Sequence, residues 1–183
     1  YTGDLGMSMG KPIAAGNLYL GQFIVDQSMM DPLKATEFGV QWDKDPIRIT
    51  GYYKYKPGPK YTNVAMEVIP DRIDEASIYA VFYNNVDPNG NLYFLYGDDV
   101  ADLDKIIDNP QVYKVARVFS LPPTDQWTRF EMFFEGRDVP EEAVANKNCN
   151  LAIVFSSSKS GAQFEGAIGS TLYIDEVEVS YEK

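Results

Sequence analysis

In residues 47–56, IRITGYYKYK, the side chains fall into two sets that alternate with a period of two. Ile47, Ile49, Gly51, Tyr53 and Tyr55 share one face; Arg48, Thr50, Tyr52, Lys54 and Lys56 share the other. Only an extended strand separates those sets cleanly, because a helix would spread both around its circumference. Pro57-Gly58 then stops the run. The same rhythm recurs between turn signals at 18–24, 76–84, 112–120, 127–135, 151–156 and 171–181, and sustained helical periodicity is absent. VDPNGN, Val86 to Asn91, carries Pro followed by Asn-Gly and predicts a hairpin into a strand at 92–96. The acidic stretch 97–110 connects strands with one helical turn. Asp138 with Pro140 and Glu141 predicts an N-capped short helix over 139–145, and 156–170 is a Ser/Gly loop. About eight strands with no βαβ rhythm specify an all-β fold, a jelly-roll β-sandwich with one or two short helices in its loops. Residues 1–183 contain no linker and no repeat, so a single domain is expected.

The last strand breaks its own rhythm. In TLYIDEVEVSY, Leu172 and Ile174 share one parity while Val177, Val179 and Tyr181 share the other. One face cannot bury both sets without an irregularity, so a β-bulge is expected near Asp175–Glu176.

Composition then removes whole classes of chemistry. The chain has no histidine and one cysteine, Cys149. Ser-His-Asp and Cys-His catalysis, histidine zinc sites and thiolate clusters are therefore excluded, as is an internal disulfide. Neither G-x-G-x-x-G nor G-x-x-x-x-G-K-[ST] occurs, which argues against a nucleotide or dinucleotide cofactor. The three lysines of GYYKYKPGPKY (51–61) suggest a basic surface. Sixteen Lys+Arg against 27 Asp+Glu, a net charge of −11, oppose binding to nucleic acid or to an anionic membrane surface. No apolar run approaches the ~20 residues that cross a bilayer, so direct membrane insertion is not expected. The chain opens on Tyr1, as a processed or trimmed product does, and carries no information about a leader.

The remaining candidates are carboxylates, cations and aromatics. Glu131 and Asp98 are the carboxylates placed for glycosidic acid–base work, although any acidic chain offers such pairs. Arg48, Tyr52 and Lys54 share a strand face, and Arg129 can join them from a neighbouring strand. Tyr and Lys can serve as acid or base without histidine, and Arg can neutralise a substrate carboxylate. The alternative for all four is ordinary cross-strand packing. Trp42, Tyr52, Tyr96 and Trp127 sit at strand ends or on polar faces, where flat rings stack on sugars. The loop GDDVADLD (97–104) lacks EF-hand spacing, and Asp175 with Glu176 at the expected bulge are the candidate ligands of a structural Ca²⁺. No other cofactor is expected.

Three segments carry a family likeness: AAGNLYLGQF (14–23), FGVQWDKDPIRITGYYKYKPG (38–58) and GSTLYIDEVEVSY (169–181). Together they resemble the putative carbohydrate metabolism domain family of Bacteroides-like bacteria. The closing LYIDEVEV is similar to the last strand of many galactose-binding-like sandwiches. The resemblance implies a sandwich like that of carbohydrate-binding modules, with a glycan or polysaccharide as partner. It also implies an exported setting (cell surface, periplasm or extracellular) reached through an upstream lipoprotein anchor, and an upstream immunoglobulin-like domain, the chain being the C-terminal part of a longer protein. It brings no catalytic residues with it. Three readings stay open: a non-catalytic glycan-binding module, a glycan-active enzyme such as a polysaccharide lyase or glycoside hydrolase, and a structural adhesion or spacer domain without a small ligand.

Overall fold

The computed structural model describes residues 1–4, 11–28 and 31–181. In chain order the strands are β1 (Gly3–Asp4), β2 (Ile13–Ala14), β3 (Asn17–Tyr19), β4 (Gly21–Phe23), β5 (Thr36–Phe38), β6 (Val40–Gln41), β7 (Pro46–Lys56) and β8 (Tyr61–Thr62). They continue with β9 (Ser77–Asn84), β10 (Val112–Arg117), β11 (Thr124–Phe133), β12 (Glu135–Gly136), β13 (Cys149–Ser156), β14 (Gly166–Ala167) and β15 (Thr171–Tyr181). Two short helices, α1 (Val25–Ser28) and α2 (Glu141–Ala145), lie in the connections. The architecture is an all-β sandwich of two main antiparallel sheets, with β1-β2, β4-β5 and β8-β14 paired as two-stranded ribbons. One main sheet has the order β12-β10-β9-β13-β3, with β6 also paired to β13; the other is β11-β7-β15.

The alternation seen in 47–56 sets the inner layer. Ile49, Tyr53 and Tyr55 of β7 point inward with Phe130 and Met132 of β11, and meet Ile78, Ala80 and Phe82 of β9 and Leu151, Ile153 and Phe155 of β13. Each of the large aliphatic and Phe or Met side chains contributes roughly 1.5–3 kcal/mol on leaving water. Ile47 departs from its parity set and is exposed, at the point where the pairing of β7 with β15 shifts register between Ser180 and Tyr181.

The central strands of the larger sheet, β9 and β13, are buried on both faces. Tyr79, Val81, Tyr83, Val112, Ala152 and Val154 form a second core on its outer side, closed by Phe38, Leu95, Val100 and Ile106. This explains why IYAVFY and LAIVF read as continuous apolar runs, a pattern that requires cover on both sides. It also corrects the expected hairpin. The reversal at Asp87–Asn91 forms, with Gly90 at φ +84° and the Asp87 N–H bonded to the Asn91 carbonyl. Residues 92–96, however, make only isolated bridges, Leu92 to Val86 and Leu95 to Phe38. Leu95 is wholly buried in the second core, and the chain leaves β9 to place it there.

Other expectations shift at their boundaries. The strand expected at 18–24 is divided into β3 and β4, and Gly21 at φ +148° passes too close to the Glu37 carbonyl to accept a Cβ. The strands expected at 112–120 and 127–135 are β10, which stops at Arg117, and β11, which begins at Thr124. The helix over 139–145 begins at Glu141, with Pro140 rather than Asp138 in the cap position and no side-chain cap. The expected bulge is present: β15 pairs Asp175 with Tyr52 and Glu178 with Thr50, leaving one extra residue, and Glu176 adopts φ +49°. The slip lets Leu172 and Ile174 on one side of it, and Val179 on the other, all pack on the core.

A buried polar cluster ties the N-terminal segment to this frame. Asp74 Oδ2 accepts from Ser158 Oγ (2.6 Å), Ser170 Oγ (2.7 Å) and the Ala167 N–H (2.8 Å), and Oδ1 accepts from the Glu75 N–H (2.9 Å). Thr2 Oγ1 bonds Ser157 Oγ and Ser158 Oγ, while the Thr2 N–H donates to the Ser170 carbonyl at 2.8 Å.

Candidate functional site

Among the described residues the outer face of β11-β7-β15 has no second layer, and it collects the residues that strand parity had grouped. Tyr52 lies opposite Arg129 on one side and Asp175 on the other; Thr50 lies between Glu131 and Glu178; Arg48 lies between Phe133 and Ser180. Lys54 pairs with Tyr173 of β15. On its other flank the register of β11 shifts between Thr124 and Thr128. That irregularity brings Trp127 beside Lys54, whose Nζ stands 4.7 Å from the indole ring. Trp127 is 46% exposed and Tyr173 55%, so both rings offer a face to solvent. With Lys56, Pro57, Pro123 and Thr124 they border an open depression of about 610 Å³.

Toward the other end of the face the charges are mutually engaged. Glu131 Oε1 accepts from Arg48 (3.2 Å) and Arg129 (3.1 Å), and Arg48 also donates to Ser180 Oγ (3.4 Å). The hydrogen bond from Arg129 and the positive charge of both guanidinium groups hold the Glu131 carboxyl below the usual carboxylate range. It is thus ionised at neutral pH, the opposite of what a general acid needs. Tyr52 is half-buried between the charged rows, and its hydroxyl makes no hydrogen bond among the described residues.

Two expected aromatics lie elsewhere. Trp42 packs against the inner core beside Tyr181, at 6.3 Å between ring centroids, with its indole N–H buried and without a partner among the described residues. Tyr96 sits over the other sheet beneath Lys34 Nζ (4.9 Å), and its hydroxyl donates to Glu37 (3.3 Å). Asp98 is ion-paired with Lys34 at 2.7 Å, away from the open face. Tyr173 was missed by sequence reasoning, although the inward parity of Leu172 and Ile174 already places it outside.

At the bulge, Asp175 Oδ1 accepts the Glu176 N–H (2.9 Å), and both side chains are exposed. Among the described residues no three His, Cys, Asp or Glu side chains gather as a metal site. Two exposed carboxylates supply only part of the six to eight oxygens that calcium takes.

The family model described as "Putative carbohydrate metabolism domain" matches residues 1–180. The chain belongs to that family. Solved structures of two relatives share the fold of this carbohydrate metabolism domain. One, a putative glycoside hydrolase from Bacteroides thetaiotaomicron, is 37% identical with a TM-score of 0.88; all of this chain aligns with 52% of that one. The other, a putative glycoside hydrolase from Bacteroides vulgatus, is 35% identical with a TM-score of 0.84; 99% of this chain aligns with 71% of that one. The domain therefore spans about half the length of the first relative. No curated protein matches it.

Proposed function

We propose that the domain is a non-catalytic glycan-binding module, and that the open face of β11-β7-β15 is where a polysaccharide lies. The observation that carries this reading is the exposed pair Trp127 and Tyr173 flanking Lys54 beside a shallow depression. Flat rings accept the apolar faces of sugar residues, and the row of Lys54, Tyr52, Arg129 and Asp175 supplies donors and acceptors for hydroxyls. Membership of a carbohydrate metabolism family supports a sugar as the partner. An exported setting and an upstream immunoglobulin-like domain fit the same role and belong to the proposal.

Affinity electrophoresis through gels containing neutral or acidic polysaccharides tests it. Retardation by at least one polymer is expected, with Trp127→Ala weakening affinity about ten-fold, in line with ~1–2 kcal/mol for a stacked ring. Absence of retardation by every polymer, together with no effect of Trp127→Ala, favours a spacer domain instead.

A second reading, a glycan-active enzyme, draws on the names of the two relatives. On this face Tyr52, Lys54 and Arg48 would be a lyase's acid, base and charge neutraliser. Rising ultraviolet absorbance on a uronic-acid polymer, lost in Tyr52→Phe, would establish it. A structural Ca²⁺ at Asp175 and Glu176 predicts a higher Tm in millimolar calcium than in EDTA; equal values remove the metal from the proposal.

A further inference from the structure

The outer face of the larger sheet is closed only in part. The segment that carries Leu95, Val100 and Ile106 seals one end, and a groove of about 470 Å³ remains between residues 100–104 and the loop 159–164. Its floor comes from β9 and β13, with Ser77, Tyr79, Val154 and Ser156 in its lining. A cavity of that size is in the range of small-molecule sites.

Tyr79 is the informative residue. It is 7% exposed, and its hydroxyl, without a hydrogen-bond partner among the described residues, is not an enclosed orphan but opens onto the groove that Tyr79 lines. Other buried tyrosines of the fold are satisfied: the Tyr83 hydroxyl donates to the Phe38 carbonyl (2.6 Å) and accepts from Asn150 (3.0 Å), and Tyr55 donates to the Ser157 carbonyl (3.2 Å). A phenol that opens onto a cavity floor without an internal partner is free to bond water or a ligand that enters the cavity. Burial pushes this hydroxyl up from its ordinary range, which keeps it a neutral donor.

The charges of the groove narrow the partner. The two cations in its described lining are both engaged, Arg117 with Asp104 at 2.6 Å and Lys159 with Glu75 at 3.4 Å, and Lys11 lies over the Phe164 ring at 4.5 Å. An anionic ligand held by Arg117 or Lys159 would have to break one of those pairs. At the rim, Phe119 is 78% exposed, giving a flat apolar surface beside hydroxyl-bearing walls. Apolar ring face, serine and tyrosine hydroxyls and balanced charge together suit a neutral pyranose.

We propose that this groove is a second ligand site, taking a neutral mono- or disaccharide, with Tyr79 as the buried hydrogen-bonding partner and Phe119 as the stacking surface. It shares no residue with the open face and stands or falls independently of that reading. ¹H–¹⁵N NMR titration with the methyl glycosides of glucose, galactose, mannose and xylose tests it. At least one glycoside is expected to give saturable shifts at Tyr79, Ala101 and Gln163. Tyr79→Phe is expected to weaken that binding about five-fold, as for one lost hydrogen bond, with Tm unchanged because the hydroxyl has no internal partner. Trp127→Ala should leave the groove's affinity as it is. The proposal is overturned if none of the four glycosides shifts the groove, if shifts appear only around Trp127 and Tyr173, or if Tyr79→Phe binds as tightly as the unaltered protein.

Discussion

Asp74 is the hub of the buried polar cluster. Its carboxyl group is buried and accepts four hydrogen bonds, none from a cation. Asp74→Ala leaves the Ala167 and Glu75 N–H groups and two serine hydroxyls without an acceptor, and each orphan costs roughly 1–3 kcal/mol before the hydroxyls turn elsewhere. A loss of about 3–5 kcal/mol in urea-melt stability is expected. Asp74→Asn should cost less, since the amide keeps one acceptor, but more than nothing, because its NH₂ must then face a donor. None of this was legible in the sequence. Asp74 stands in an unremarkable loop, and Ser158, Ala167 and Ser170 reach it from separations of 84, 93 and 96 residues. By contrast, the inward set of β7 from Ile49 to Tyr55 was legible, because alternation is a local property of the chain.

At the scale of elements, the two sheets differ in what covers them, and legibility follows that difference. Strand β7 alternates since one of its faces is open, and its parity alone groups Arg48, Tyr52 and Lys54 on that face, where Arg129 joins them across the sheet. Strand β13 is buried along its whole length, so the sequence marks it as apolar without saying what lies on either side. The cover on the outer side is a run of loop and single bridges, a partnership no periodicity encodes; the groove at Tyr79 was invisible for the same reason. The bulge of β15 was readable because two parities had to share one face. Its partner Gly51 is the second half of that device: a Cβ there would lie 2.7 Å from the Phe130 ring and 3.2 Å from the Asp175 carbonyl oxygen. Gly51→Val should therefore cost about 2 kcal/mol or more, as overpacking does. Glu176→Gly should be neutral or gain up to about 1 kcal/mol, because glycine holds φ +49° without strain. Thermal melts of the two variants should move in opposite directions or differ by at least several degrees.

For the molecule as a whole, the absence of histidine leaves its stability flat across about pH 6–8. The alkaline side differs. Burial pushes Tyr83 up to about 12 and Cys149 up to about 11, and raises Tyr53, Tyr55, Tyr61 and Tyr113 as well. An unfolded chain gives up these protons near pH 9–10, while the folded one holds them. The unfolded state then binds fewer protons, so raising the pH favours it. Stability from these groups is fully present below about pH 9 and is lost as the pH rises toward 12. Phenolate absorbance and loss of tertiary circular dichroism should rise together in that window; tyrosines that titrate with the fold intact would contradict it. The arrangement of the open sheet also has a kinetic consequence. Strand β7 is its centre, and Arg48 pairs with Phe133 on one side and Ser180 on the other. During synthesis β7 emerges long before either partner, and only the arrival of β15 completes its hydrogen bonding. Assembly of this face is therefore a late, long-range event, a topology associated with slow folding. Until then a tyrosine-rich strand with two unpaired edges is the segment on which a holding chaperone would act.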